Sequence, residues 1–551
     1  MRPRDLSVLE RLRARYGGGV ADLKLLRLRR LARADLATAS QVLRLHEVLC
    51  FLRAYPDDAR VLVQARRMLA AFARRPDLMR HADSLADTGI DGTEIRYRFF
   101  WPTARWLAAR WPGLLRLDRT DTDAATRLAQ ALPLLAPTAA AEWLHAARLE
   151  PFEALARLRG RVQPTDATCL VDMIERLPGN AFTREAFADG IDATHVLKSG
   201  SGSPARGRAH FTAAPFAFQS IPLRRDRPDL RAALRVPPRA INVLTARDAA
   251  ALIELARCSM VTRARDLMAF EYATSQGARL IDDGGGLAFT FCGVIAERRL
   301  LLPAIFAGLM LRNGVPIGYL QVDVLGSHAA VSFNMFETFR GSGAAFVFSR
   351  LLAAVHNVFR ATSFSIEPYQ LGQGNDEAVE SGAWWFYYKL GFRPRDSRSI
   401  RLARAERPRI CADRDYRSSE RTLRALAENH LFFDGDPAHP CPLPRLAPLL
   451  ARATARLAAA GGGRAGQRAC EAESLRVTGL RSMAGFARDE RLMWQRWAPL
   501  LASLSRIAQW PAAQRSALVA LVRAKGGASE LDYLAQFAAH DRLRRALFGG
   551  P

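Results

Sequence analysis

At 551 residues the chain is too long for one hydrophobic core, so we expect about three or four domains. Hydrophobic residues make up 49% and charged residues 24%, values that are typical of packed globular protein and exclude disorder over the whole length. The formal charge of +26 suggests nucleic acid as a partner, but the 80 basic residues are spread along the chain rather than clustered. That spread favours a generally basic surface over a nucleic-acid site.

Only four of the 80 basic residues are lysine, an arginine excess that is typical of a GC-rich bacterial genome. Seven scattered cysteines without C-x-x-C spacing predict reduced thiols rather than a disulfide framework or a metal site. The basic segment 1–16 lacks a continuous apolar stretch, and no run in the chain reaches the length of about 18 apolar residues needed for a membrane span. We therefore expect a bacterial cytoplasmic protein with no transmembrane segment and no metal cofactor.

Residues 1–197 have apolar residues at helical spacing, for example in the segment 42–52, which follows the cap candidates Thr38 and Ser40. We predict an α-helical domain over this range. It contains a dense aromatic cluster formed by Tyr97, Phe99, Phe100, Trp101, Trp106 and Trp111. We interpret the cluster as a helix-helix core, with a docking surface for an acyl chain or a partner helix as the alternative.

Residues 198–238 are rich in Gly, Ser, Pro and Arg, a composition that predicts a linker or loop. We place a domain with a β-sheet at 239–408 and an α-helical C-terminal region at 409–551. Within the sheet domain, the glycine run 284–286 predicts a tight turn before a strand over 287–294.

A β-hairpin is the clearest local structure in the sequence. Its strands are predicted over 305–311 and 317–325, on either side of the turn Asn313-Gly314. Asn-Gly favours a type I′ turn, because both residues tolerate the positive φ angles that this turn requires. A third strand is predicted over 331–339.

The segments after the third strand alternate between helix and strand. Helix is predicted over 343–359, a fourth strand over 363–367 that ends at Pro368, and an aromatic helix from Ala383. The resulting order, β-β-β-α-β-α-β, predicts an α+β protein: a central mixed β-sheet domain flanked by mainly α-helical N- and C-terminal regions.

Two short segments have residues suited to chemistry. The turn 340–345, with the sequence RGSGAA, places two glycines where a strand leads into a helix, so that backbone N–H groups and the helix dipole can approach an anion. The segment 383–392, AWWFYYKLGF, contains Tyr387, a phenol able to donate a proton. The alternatives are a turn that needs small residues for packing and a buried helix whose aromatic residues only fill a core.

Together these segments resemble two motifs of the GNAT-type (N-acetyltransferase-like) acyltransferase superfamily, [QR]-x-x-G-x-[GA] and A-x-x-[LF]-Y-x-K-x-G-F. The resemblance covers residues 304–394. It implies an acyl-coenzyme A cosubstrate whose diphosphate is held by the turn, and Tyr387 as the acid that protonates the departing thiolate. The implied cofactor-binding residues are Arg340, Gly341, Ser342, Gly343, Ala344 and Ala345. In the family, two strands also part beside this turn to admit the pantetheine arm.

A base is needed to take a proton from the attacking acceptor, and Glu337 is the preferred candidate. Strand alternation would put it on the face of Phe333 and Met335, where partial desolvation raises a carboxyl pKa. A bulge would reverse that parity. Glu367 and Asp323 are the next candidates. The histidines at 328 and 356 are weaker, since a turn position and a packed helix position explain them.

The sequence also departs from the family pattern. Glu380 stands where the family has asparagine, and Asn375 lies five residues upstream in a lengthened loop. That loop borders the acyl and acceptor channel of the family. An altered acceptor, or a retained fold without activity, is therefore an alternative.

We expect an acyltransferase that moves an acyl group from acyl-coenzyme A, or from a carrier-protein thioester, to an amine or hydroxyl by direct attack. The expected partners are a small-molecule or protein acceptor and, through arginine-rich helices, an acidic acyl carrier protein. One alternative is a noncatalytic scaffold or ligand sensor with the same fold. The other is a basic protein associated with nucleic acid, which the spread of charge disfavours.

Overall fold

The computed structural model of the chain describes residues 3–224, 226–341, 343–413, 415–436, 438, 445–504 and 506–549. It has many helices and a large mixed sheet, so the predicted α+β class is confirmed. Two units are distinguished, the first comprising Met1–Leu223, Ala250–Tyr272 and Leu311–Ile317, and the second Arg224–Ala249, Ala273–Met310 and Gly318–Pro551. The domain boundaries predicted at 197, 238 and 408 stay predictions.

The first part of the chain is helical, with three short strands in the order β1-β3-β2. Its helices are α1 (Pro3–Leu12), α2 (Val20–Ala32), α3 (Ala39–Ala54), α4 (Ala59–Ala70), α5 (Pro76–Arg80), α6 (Trp101–Arg110), α7 (Thr122–Leu135), α8 (Thr138–Ala147), α9 (Pro151–Arg159), α10 (Asp166–Glu175) and α11 (Ala181–Ile191). Its strands are β1 (Ile95–Tyr97), β2 (Leu115–Leu117) and β3 (His195–Leu197). Next along the chain come α12 (Leu230–Leu234), β4 (Ala240–Val243), α13 (Ala246–Val261) and α14 (Met268–Glu271).

The helices of the first unit pack as the apolar spacing predicts. Thr38 caps α3, since its hydroxyl accepts a hydrogen bond from the Gln41 N–H at 3.3 Å. In the aromatic cluster, Phe99 and Trp101 are buried in a core with residues of α10, whereas Phe100 is 53% exposed. The helix-core interpretation therefore holds for Phe99 and Trp101, and Phe100 lies outside that core.

The predicted hairpin is confirmed and consists of β7 (Ala304–Arg312) and β8 (Val315–Leu325). Asn313 and Gly314 have φ angles of 50° and 74°, as an Asn-Gly turn requires. The turn is also held from outside: the Asn313 side chain donates to the Ala54 carbonyl at 2.9 Å, and Phe211 N–H donates to the Gly314 carbonyl at 2.8 Å. A Cβ at position 314 would lie 2.4 Å from the Phe211 oxygen, so only glycine fits there.

The second unit is built on one large sheet, in the order β11-β12-β10-β9-β8-β7-β6-β5-β4. The remaining strands are β5 (Arg279–Gly284), β6 (Leu287–Gly293), β9 (His328–Met335), β10 (Ser363–Ile366), β11 (Arg393–Pro394) and β12 (Leu431–Asp434). The predicted third strand begins earlier than expected and ends at Met335 instead of 339. Strand β12 was not predicted, and it lies between β10 and β11.

The helices of the second unit follow and cover the rest of the described chain. They are α15 (Ala344–Phe359), α16 (Pro368–Leu371), α17 (Asp376–Glu380), α18 (Ala383–Leu390), α19 (Ser397–Ala412), α20 (Glu420–Leu426), α21 (Leu446–Ala459), α22 (Gly463–Thr478), α23 (Arg488–Ser503), α24 (Ala512–Lys525), α25 (Glu530–Ala539) and α26 (Asp541–Phe548). Two glycines with positive φ flank the helices that carry the predicted motifs. Gly343, with a φ of 79°, is the N-cap of α15, and Gly391, with a φ of 112°, is the C-cap of α18.

A buried ionic cluster ties the C-terminal helices to the start of β7. Lys525, fully buried, forms an ion pair with Glu530 and donates to the Pro303 carbonyl at 2.8 Å. Arg299 donates to the Lys525 carbonyl at 2.6 Å, and Tyr533 donates to the Leu302 carbonyl at 2.6 Å. Burial lowers the pKa of Lys525, which shows how strongly this ammonium depends on its partners.

We predict that Lys525→Met destabilises the protein by about 3–5 kcal/mol, because the change leaves the Glu530 carboxylate buried without its ammonium partner. Chemical denaturation of the full chain measures the loss. Arg476→Met removes a partner of Glu473 at an exposed ion pair and serves as the control that leaves the midpoint unchanged. Glu530→Leu should cost less in the Lys525→Met background than alone; additive losses would show that the pair is not coupled.

Candidate functional site

Strands β9 and β10 run parallel and part along their length. Their register pairs begin at Ser363↔His328 and end at Ser365↔Ala330. β10 stops one residue later at Ile366, while β9 continues for five residues to Met335. Beyond Ala330, the edge of β9 that faces β10 has no strand partner in the described sheet, although the Met335 carbonyl accepts a hydrogen bond from Arg340.

The turn 340–345 follows β9 and leads into α15. Gly341 and Gly343 have φ angles of 76° and 79°, the left-handed region that favours glycine. A Cβ on Gly341 would meet nothing within 4 Å, whereas one on Gly343 would lie 3.0 Å from the Arg224 carbonyl oxygen. Ser342 lies outside the described residues. The free N–H groups at the start of α15 and the helix dipole give this turn a positive local potential.

An open cleft of about 300 Å³ lies where the strands part. Its lining brings together Phe333, Met335, Arg340, Gly341, Ala344 and Tyr387. Four residues chosen from the sequence, from two separate motifs, therefore border one space. Gly343 and Ala345 adjoin the cleft in sequence but do not line it.

Tyr387 lies on α18 and is only 3% exposed. Its ring contacts Phe348 of α15 edge-on, with the ring centroids 5.3 Å apart, and Phe392 at 6.0 Å. Burial raises the pKa of the phenol above its usual value, so the group keeps its proton at neutral pH. A protonated phenol that borders the cleft is suited to donate a proton.

Arg340 borders the cleft but is already engaged. Its Nε donates to the Met335 carbonyl at 3.2 Å, and its guanidinium forms an ion pair with Glu377 of α17. Asn375 caps that helix by accepting from the Ala378 N–H at 3.2 Å. The lengthened loop noted in the sequence thus supplies a carboxylate to the cleft. Helix α17 was not predicted from the sequence, although an Asn followed by two acidic residues is an N-cap signal that indicates such a helix.

The expected position of Glu337 is wrong. β9 ends at Met335, and residues 337–339 form a 3₁₀ turn in which Phe339 N–H donates to the Phe336 carbonyl at 2.9 Å. The strand parity therefore does not reach Glu337, which is exposed and does not line the cleft. Its role as a base stays a prediction without the desolvation that motivated it.

Asp323 is half-buried and, like Glu337, does not line the cleft. It pairs with Ala330, which is also the last β9 residue paired with β10, so its side chain lies in the row where the strands part. Gln321 Nε2 donates to its carboxylate at 3.0 Å. Burial, together with the charge of nearby Glu367, raises the pKa of Asp323 to about 6, in the range of a general base. Glu367 itself is exposed and precedes α16.

The two histidines have structural partners. His328 is buried between strands, with Nδ1 3.2 Å from the Ser363 hydroxyl and Nε2 3.0 Å from the Ser365 hydroxyl. Burial lowers the pKa of His328 to about 4, so the ring is neutral at pH 7. His356 lies on α15, with Nδ1 2.8 Å from the Ala361 carbonyl oxygen.

Comparison with protein-family models, with curated proteins and with solved structures finds no match for this chain. Nowhere in the described residues do three or more His, Cys, Asp or Glu side chains converge in a way that suits a metal ion. No described helix combines the length and apolar composition that a bilayer span requires.

We predict that His328 makes stability fall on acidification. Because the folded pKa of about 4 lies below the usual 6.5, protons bind the unfolded chain first, and stability is lost as the pH falls from 6.5 to 4. The loss is about 3 kcal/mol over this window. Denaturation of the wild type and of His328→Gln at several pH values measures it: the variant should have the flatter profile, and parallel profiles would contradict the assignment.

Proposed function

We propose that the protein transfers an acyl group from acyl-coenzyme A, or from a carrier-protein thioester, to an amine or hydroxyl. The observation that supports this proposal is the one cleft bordered by the unpaired end of β9, the glycine turn and Tyr387. A thioester with a long pantetheine arm and a diphosphate needs this combination: strand-edge amides for the arm, a helix N-terminus for the anion and an acid beside the sulfur.

The donor lies along the edge of β9, with its diphosphate at the turn. The alternate amides of β9 that point to its open edge hydrogen-bond the peptide-like pantetheine, as an added strand does. Gly341 leaves open space where the diphosphate approaches the backbone. Since Arg340 is paired with Glu377, backbone N–H groups and the α15 dipole supply most of the attraction for the anion.

The reaction is a direct displacement. The acceptor nitrogen or oxygen attacks the carbonyl carbon of the thioester, the C–S bond breaks, and the sulfur leaves with the bonding pair. Tyr387 gives its proton to that sulfur. The burial that raises the pKa of the phenol also makes a thiolate formed beside it more basic. The pKa of the thiol therefore rises together with that of the phenol, and the proton can still pass between them. Asp323, whose pKa is raised by burial, and exposed Glu337 are the candidate carboxylates for taking the proton of the acceptor, although neither lines the cleft.

A noncatalytic ligand sensor is the second candidate function. The ion pair between Arg340 and Glu377 favours it, because a carboxylate at the cleft repels a diphosphate unless the pair rearranges. Under this alternative the thioester binds and its acyl group stays in place. The carrier protein and the acceptor stay predictions in both cases.

We predict that Gly341→Asp weakens binding of acetyl-coenzyme A at least about tenfold relative to Gly341→Asn. Both side chains have the same shape and tolerate positive φ, and both enter open space, so the pair isolates the effect of negative charge beside the diphosphate. Isothermal titration measures the affinities. Equal affinities for the two variants would place the diphosphate elsewhere.

We predict that Tyr387→Phe lowers the rate of thiol release from acyl-coenzyme A about a hundredfold or more while its binding is retained. A thiol-reactive dye follows the reaction with a panel of amine and hydroxyl acceptors. Tyr388→Phe on the same helix is the matched control, since Tyr388 stacks on Trp384 and does not line the cleft. Equal rates for Tyr387→Phe and the wild type would show that Tyr387 is not the proton donor. Binding of the thioester without turnover in the wild type would favour the function of a noncatalytic ligand sensor.

A further inference from the structure

A second cavity of the second unit lies away from the acyl-transfer cleft. Its volume is about 860 Å³, within the range of about 300–1,000 Å³ that is typical of small-molecule sites. It is bordered by the turn 325–327 between β8 and β9, by α21 and by α26. Because that turn precedes the first residue of β9 and the cleft lies at the last, roughly 23 Å of extended strand separates the two sites.

The inner wall of this cavity is apolar. Leu325, Leu449, Phe537 and Leu547 line it and are each at most 6% exposed, with Phe548 beside them. An apolar wall favours a hydrocarbon chain, because removing methylene groups from water is favourable.

The remaining side chains of the cavity are strongly cationic. Arg445 and Arg452 come from the α21 side, Arg544 and Arg545 from α26, and the lining has one carboxylate, Asp541, which pairs with Arg544. The Arg544 Nε is buried and has no hydrogen-bond partner. Four guanidinium groups around one carboxylate leave an excess of positive charge, which favours an anionic ligand.

We propose that this cavity binds a single-chain amphiphile with an anionic head group, such as a long-chain carboxylate or alkyl phosphate, as a monomer. The head group accepts hydrogen bonds from the arginines of α21 and α26, and the chain lies against the apolar wall. The concave shape suits one alkyl chain taken out of water rather than the flat surface of a bilayer. This site is independent of the proposed acyl transfer, because it shares no lining residue with the cleft.

The test uses the full-length chain and dodecanoate or dodecyl phosphate below their micellar concentrations. We expect saturable binding by isothermal titration that strengthens from acetate to octanoate to dodecanoate. The double variant Arg452→Glu/Arg545→Glu should lose at least about tenfold in affinity, since both side chains are exposed and contact the head group. Arg542→Glu is the matched control: it makes the same charge change on α26, is exposed, does not line the cavity and should leave the affinity within twofold.

Several outcomes would overturn this proposal. One is affinity that does not depend on chain length, or that falls equally in the double variant and in Arg542→Glu. Binding lost in Gly341→Asp but retained in the double variant would move the ligand to the cleft. Association with anionic lipid vesicles without binding of monomeric dodecyl phosphate would assign the arginines to a membrane surface. Dodecanoate binding that survives in Gly341→Asp while acetyl-coenzyme A binding is lost would show that the two sites are separate.

Discussion

The constraint on which the site depends is the early end of pairing between two parallel strands. β9 and β10 share three register pairs and then separate, because β10 stops at Ile366 while β9 runs on to Met335. The unpaired end of β9 is still held in the sheet by its other neighbour. β8 pairs with β9 along the whole length of β9, from Gly318↔Met335 to Leu325↔His328. The second half of β9 is thus rigid on one edge and open on the other. A rigid strand with an open edge holds a ligand with little loss of conformational entropy.

The neighbouring elements turn that opening into a bounded cleft. The glycine turn brings the start of α15 to the end of β9, and α18 places Tyr387 against Phe348 of α15. Burial then acts on the chemistry: it keeps the Tyr387 phenol protonated and the His328 ring neutral, and it raises the pKa of Asp323 to about 6. Of these groups, Tyr387 borders the cleft, whereas Asp323 and His328 do not line it.

Local signals in the sequence were enough for the elements whose form depends on neighbours along the chain. Asn313-Gly314 predicted the hairpin because positive φ is a property of those two residues, and the glycines at 341 and 343 predicted the turn for the same reason. Gly341 and Tyr387 border one cleft, but no local signal joins these two residues, and the family resemblance that links them stays a prediction. The predicted position of Glu337 was wrong because alternation of side chains assumes that the strand continues. The strand ends at Met335, and the following 3₁₀ turn has its own hydrogen bonds.

Features that depend on contacts between distant parts of the chain could not be predicted from the sequence. β12 enters the sheet between β10 and β11 from a segment some forty residues after β11. The burial of Lys525 depends on carbonyls near 302, more than two hundred residues away. The arginines around the large cavity come from α21 and α26, and no local pattern joins them. In each case the neighbour that decides the role of the residue lies far away in the chain.

Amide hydrogen exchange of the full chain, with and without acetyl-coenzyme A, tests most directly whether the open edge of β9 is a binding edge. The account predicts that amides in the segment 331–335 and at 341–345 become slower to exchange when the thioester is added, while those of α21 do not change. Exchange in those two segments that is the same with and without a saturating thioester would contradict it.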